Sequence, residues 1–198
     1  MGRLYIIFGK SASGKDTFFK KLVEDEQLNM KRIVPYTTRP IRTGEQDGRE
    51  YHFVTGEELK RLEAEGKVLE KRTYHTIHGD WTYFTVEDGQ IDWEHGDYIL
   101  IGTLEVYQSI KNYYGNERVV PIYIEVEDGE RLTRALERER IQTEPKYAEL
   151  CRRFLADCED FSEEKLNRAG VRQEHRYKNS DFTECWENIR RTIQKGKR

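Results

Sequence analysis

Apolar and polar positions along this chain follow two periods. RLYIIF (Arg3 to Phe8) is a β-rich apolar run that ends at a glycine loop, and it predicts a first strand. DTFFKKLVEDE then pairs Phe18 with Leu22 and Phe19 with Val23 at i,i+4, the spacing of a helix face. KRIVPY reads as a second strand. DYILIGT and VVPIYIEV are continuous apolar runs of the kind found in strands covered on both faces. EVYQSIKNYY between them fits the crossover helix of a βαβ unit. Two longer helices are predicted next. DGERLTRALERERI carries Leu132, Ala135 and Leu136 on one face, and PKYAELCRRFLADCEDF repeats Tyr147, Leu150/Cys151, Phe154/Leu155, Cys158 and Phe161 at helical spacing. HRYKNS reads as a last strand and FTECWENIRRTI as a last helix burying Trp186, Ile189 and Ile193, with KGKR as a loose tail.

The alternation describes an α/β fold, a parallel sheet flanked by helices. Between Thr37 and about Gly89 it is interrupted by short aromatic strands and turns, among them YHFV, KVLEKRTY and TYFT. An insert at that point stands over the C-terminal strand edge, where α/β sheets bind ligands. The length, 198 residues, suits one domain with a real core. Equal hydrophobic and charged fractions of 36% and a net charge of -3 describe a polar protein with no pull toward nucleic acid polymers or anionic membranes. LYIIF is far too short for a membrane span or signal-peptide core, so a cytoplasmic location is expected. Cys151, Cys158 and Cys185 lack metal-ligand spacing and read as reduced thiols. His75 and His78 sit close together, but no third ligand is evident, which favours ordinary loop or strand histidines over a metal pair.

Candidate chemistry begins at Gly9-Lys10-Ser11-Ala12-Ser13-Gly14-Lys15, a G-x-x-x-x-G-K run between a strand and a helix. Glycines let the backbone wrap a phosphate with its N–H groups pointing inward; the helix dipole and Lys15 add positive charge. The next residue is Asp16, where such loops normally carry Ser or Thr. A carboxylate there is a strong Mg²⁺ ligand, and it would replace both the hydroxyl and a strand-end acid that Ile101-Gly102-Thr103 does not supply. Two other readings stay open: Asp16 favouring the helix dipole, and Thr17 supplying the hydroxyl. Downstream, YTTRPIRTGEQDGREYHFV places Arg39, Arg42 and Tyr51 around turns, a set that suits a dianionic phosphate.

These runs together resemble the guanylate kinase family. Thr37-Thr38-Arg39, Arg42, Gly44-Glu45, Gly48, Tyr51 and Phe53-Val54 match its signature, and the resemblance extends over most of the chain. It implies a P-loop nucleoside monophosphate kinase fold: core 1–36, 92–134 and 150–198, a small β-rich insert 37–91 that binds the monophosphate, and a helical lid 135–149. It implies that Glu70, ending GKVLE, receives the guanine N1 and N2 protons. GDWTYFT puts Tyr83 near the acceptor phosphate and Thr85 near the base. RALER matches two lid arginines, Arg134 and Arg138; Arg153 falls where the family has another; Asn179 in YKNSDF falls near adenine. The implied reaction is in-line phosphoryl transfer from ATP, with Mg²⁺, to GMP or dGMP. Two facing phosphate cradles and mobile lid cations suit that chemistry.

The match has departures. Asp16 and the absent strand-end acids are two of them; Thr103 could offer only one hydroxyl to the base. Pro35 replaces a base-contacting serine, and Phe84 replaces a glycine beside the base pocket. The phosphate readers are retained while the base readers are depleted, which implies weaker discrimination. Gly-Lys-Asp and the strand-end turn also resemble ribose 1,5-bisphosphate phosphokinase, a sugar-phosphate alternative. A third reading is a non-catalytic module that binds phosphopeptides, as in scaffold proteins. Expected partners are ATP and a nucleoside monophosphate, on a monomer or homodimer.

Overall fold

The computed structural model describes residues 2–76 and 79–196, so His78 lies outside the described residues. Strand β1 (Leu4–Phe8) is buried along its whole length and forms the centre of a five-stranded sheet. Its neighbours are β7 (Tyr98–Ile101) and β8 (Val119–Glu125); β2 (Lys31–Arg32) and β9 (Arg176–Lys178) lie outside them, all parallel. Period-2 alternation in β1 feeds two layers. Leu4, Ile6 and Phe8 pack with Val106, Tyr107 and Ile110 of α3 (Leu104–Tyr114) and with Phe161, Leu166 and Val171. Tyr5 and Ile7 pack with Phe18 and Leu22 of α1 (Lys15–Glu24) and with Trp186, Ile189 and Ile193 of α7 (Phe182–Gly196). The last helix therefore takes up Lys195 and Gly196, which the sequence reading assigned to a loose tail.

The remaining strands form a second sheet, ordered β4-β3-β6-β5. It comprises β3 (Tyr36–Thr37), β4 (His52–Phe53), β5 (Val68–Thr76) and β6 (Gly79–Val86), with α2 (Gly56–Ala64) covering a small core of Leu59, Leu62, Phe84 and Val86. KRIVPY is thus not one strand. Lys31 and Arg32 pair with β7, whereas Tyr36 pairs with Phe84 in the second sheet. The change of sheet falls at Pro35, which has no N–H for a ladder.

Helices α4 (Asp128–Arg140) and α5 (Tyr147–Asp160) pack on each other, and short α6 (Glu163–Arg168) follows. Here the expected apolar stripes shift. On α4 Ala135 is buried, but Arg131, 1% exposed, takes the place expected for Leu132, which is exposed. On α5 only Leu150 is buried, and Leu155 is 68% exposed. The cause is polar: Arg131 lies over the Phe154 ring at 4.1 Å and bonds Asp128 and Asp157 at 3.0 and 3.1 Å.

Candidate active site

The loop between β1 and α1 has the geometry its letters require. A Cβ on Gly9 would stand 2.6 Å from the Ile124 carbonyl oxygen, so only glycine fits. Gly14 has φ +88° and passes the chain into α1 at Lys15. The first N–H groups of that helix have no intrahelical acceptors, which makes the start of α1 a ready site for an anion. Three anchors fix the loop from behind. Asn179, expected near adenine, spends its buried amide on the Ser13 carbonyl at 2.8 Å. Lys10 Nζ donates to Asp128 at 3.0 Å, and the Ser11 N–H donates to Asp157 at 2.8 Å. Burial pushes the Asp128 carboxyl up, but hydrogen bonds from Lys10 and Arg131 outweigh it and hold it below the usual range. Ala12 sits at φ 61°, and the buried Ser13 hydroxyl has no protein partner among the described residues.

An open cleft of about 560 Å³ separates the loop from the second sheet. Lys15 and Asp16 line one side; Arg42, Tyr51, Arg72, Tyr74, Trp81, Tyr83 and Thr85 line the other. Strand register explains that wall. Glu70, Arg72 and Tyr74 alternate along β5 and pair with Thr85, Tyr83 and Trp81 of β6, so these six share one face. Phe84 points the other way, fully buried in the insert core, and is not beside the cleft. Leu100, Ile101, Gly102 and Thr103 form the floor, and Glu149, Arg152 and Arg153 of α5 reach in from the side. Thr103 caps α3 and accepts from the Val106 N–H at 3.4 Å.

Arg39 lies buried behind the cleft. Its guanidinium donates to both oxygens of Glu45 at 2.8 and 3.0 Å and to the Tyr83 hydroxyl at 3.0 Å. The hydrogen bonds from Arg39 hold the Glu45 carboxyl below its usual range. Tyr51 meets Tyr83 edge-on at 5.5 Å, and burial raises its phenol. The Arg42 guanidinium has no hydrogen bond among the described residues and lies 5.9 Å from the Trp81 ring. Glu70 accepts from Thr85 Oγ1 at 2.7 Å and from Arg72 Nε at 3.2 Å. On α4, Arg134 bonds Glu130 at 2.9 Å and the Asn179 carbonyl at 3.2 Å, and Arg138 is exposed. Neither lines this cleft. Thr17 is exposed on α1.

The arrangement can hold one phosphate chain at the loop and a second anionic group across the cleft, with cations on three sides. A family model described as guanylate kinase matches residues 1–147. The guanylate kinase of Porphyromonas gingivalis is 31% identical over 195 residues, covering 98% of this chain and 97% of that one. The chain belongs to the guanylate kinase family. A guanylate kinase from Schizosaccharomyces pombe is 46% identical over 65 residues, 33% of this chain and 32% of that protein. A crystal structure of guanylate kinase from Anaplasma phagocytophilum superposes with a TM-score of 0.66 at 20% identity, covering 98% of this chain and 85% of that one. That likeness speaks for the fold of the guanylate kinase family.

Sequence reasoning missed several cleft and anchor residues. Arg72 was legible, two positions after Glu70 on an alternating strand. Arg152 adjoins Arg153, and its pairing with Glu149 at 2.7 Å follows i,i+3 spacing. Asp128, Arg131 and Asp157 carried no local signal, because they meet only when α4, α5 and the loop are assembled.

Proposed function

We propose that this guanylate kinase family member transfers the γ-phosphoryl group of ATP to GMP or dGMP, releasing ADP and a guanosine diphosphate. The observation that supports this reading is the single cleft with Lys15 of the phosphate loop on one wall and Arg42, Tyr51 and Tyr83 on the other. ATP phosphates would lie on the loop N–H groups and Lys15. The acceptor phosphate would lie against Arg42, Tyr51 and Tyr83, with Arg39 holding Tyr83 in place from behind. An acceptor phosphate oxygen then attacks in line, and no side-chain nucleophile is required. Arg153 flanks this line of transfer and would stabilise charge on the transferring group. Arg134 and Arg138 would join only if α4 and α5 close over the loop. Thr85 and Glu70 lie at the base end of the acceptor site, with Thr103 on its floor.

Mg²⁺ fits this donor set. Asp16 projects from the cleft wall with its side chain 82% exposed, 3.5 Å from Lys15 Nζ. Among the described residues no group of three acidic, histidine or cysteine side chains could hold a metal alone. One carboxylate together with triphosphate oxygens and water is the usual Mg²⁺ environment. Held by Asp16 and the bound nucleotide, the ion would neutralise charge on the donor phosphates. Among the described residues no helix is long and apolar enough to cross a membrane, and the reading places the enzyme in the cytoplasm. Nothing in these matches favours the sugar-phosphate or phosphopeptide alternatives.

A coupled assay with ATP and Mg²⁺ against GMP, dGMP, AMP, CMP, UMP and ribose 1,5-bisphosphate tests the proposal. GMP and dGMP are expected as the preferred acceptors, with Lys15→Ala inactive. Preferred turnover of the sugar phosphate, or Lys15→Ala equal to wild type, would overturn it.

A further inference from the structure

Glu70 is a buried carboxylate at the inner end of the acceptor cleft, with its side chain only 4% exposed. It is not itself among the residues that line the cleft; Thr85 and Arg72, its two donors, stand in front of it. Two carboxylate oxygens offer about four acceptor positions, so these two donors leave capacity for more. Arg72 is 21% exposed and commits only Nε to Glu70, at 3.2 Å. Its two terminal nitrogens have no hydrogen bond among the described residues. Of the other groups near this end, Pro35 has no N–H and the Thr85 proton is spent on Glu70, while the Thr103 hydroxyl accepts from the Val106 N–H and keeps one proton to give. Arg72 is therefore a free charged donor beside the carboxylate, with two terminal nitrogens to offer.

Taking GMP as the acceptor, and so resting on the function proposed above, we infer that Arg72 is a specificity-determining residue that reads the base together with Glu70. Guanine presents an acceptor, O6, beside two donors, N1–H and the N2 amine. A guanidinium next to a carboxylate presents donors beside an acceptor, the complement of that edge. Adenine presents an amine and a bare N1, which sets donor against donor and acceptor against acceptor. The pair thus gains for guanine and loses for adenine, because mismatched groups are left unpaired in a closed site. A point charge cannot replace the planar guanidinium without loss, since its donors are fixed in direction.

Equilibrium binding of GMP, IMP and AMP, measured by calorimetry on wild type, Arg72→Ala and Arg72→Lys, tests this without depending on turnover. IMP keeps O6 and N1–H and lacks only the amine, so it reports the contact to O6. Arg72→Ala is expected to weaken GMP and IMP by roughly tenfold or more and to leave AMP and ATP within about threefold. Because Arg72→Ala leaves a buried carboxylate short of a partner, Arg72→Lys is measured beside it. The lysine keeps the charge, and the same change in preference is expected at a smaller size. Equal weakening of all three monophosphates would make Arg72 a phosphate ligand and overturn the inference. Unchanged or tighter GMP binding in both variants would also overturn it, showing that Arg72 merely covers Glu70. If binding shifts as expected but wild type turns over no GMP, the proposed reaction fails and the reading of Arg72 stands.

Discussion

Asp16 holds its carboxylate in the open, 3.5 Å from Lys15 Nζ, an arrangement that becomes costly when a triphosphate binds unless a cation arrives with it. A role as metal anchor and a role at the helix dipole predict different losses. Asp16→Ala should raise the Mg²⁺ concentration needed for half-maximal activity by about tenfold or more, as loss of a ligand-shell group does. A dipole role alone would cost about 0.3–1 kcal/mol of stability and leave the Mg²⁺ dependence unchanged. A Mg²⁺ titration of activity with a melting curve for each protein separates the two, and full activity with unaltered Mg²⁺ response would end the metal reading. The glycines that precede Asp16 in the loop are legible because backbone constraints impose them: only glycine fits at Gly9 and a left-handed turn is needed at Gly14. The Glu70–Arg72 partnership was within reach too, through the period of two. The placement of Phe84 was not, since the same alternation puts it on the face opposite Tyr83 and Thr85 only once the strand's bounds are known.

At the scale of elements, α4 and α5 are joined to the phosphate loop by polar contacts rather than apolar ones. Arg131 bonds both Asp128 and Asp157, and these in turn hold Lys10 and the Ser11 N–H. Removing the arginine leaves Asp157 and the partly exposed Asp128 without the cation that joins them. Arg131→Ala should lose about 3 kcal/mol, at the lower end for a broken buried pair because Asp128 is partly exposed. For a chain of this size that corresponds to a fall in melting temperature of roughly 6–12 °C. The Michaelis constant for ATP should rise while that for GMP changes little, because the loop and not the second sheet is loosened. A variant that melts at the wild-type temperature with an unchanged ATP constant would refute the anchoring role. The core strands were legible because β1, β7 and β8 are apolar on both faces, which local composition records. The stripe of α5 was not, because what covers it is the guanidinium of a residue on α4. KRIVPY was misread for a similar reason, as its two ends belong to different sheets.

The whole molecule spends its titratable groups in opposite directions at acid and alkaline pH, which sets a stability window. Burial lowers the His175 imidazole below its ordinary value, so the folded state resists protonation there. That contribution is full above about pH 6.5 and is lost as pH falls below it. Glu45 and Asp128 are also depressed, held by Arg39 and by Lys10 with Arg131. Their contribution is present above the ordinary carboxylate range and disappears as pH falls through the lowered values, below about pH 4. On the other side, burial pushes the Cys185 thiol and the Tyr5 and Tyr107 phenols up to about 12. The native state then keeps protons that the unfolded chain gives up from about pH 8.5 to 10, so stability declines as pH rises through that range. Melting temperatures measured from pH 3 to 11 should form a plateau between about pH 7 and 8.5, with a shallow acid shoulder near 6 and a steep fall below 4. Cys185→Ala should remove part of the alkaline decline and none of the acid one. Since Glu45 holds Arg39 against Tyr83, the steep acid fall should coincide with loss of GMP binding measured at the same pH values. GMP binding that persists after the fall in melting temperature would show that the acceptor wall does not depend on that pair.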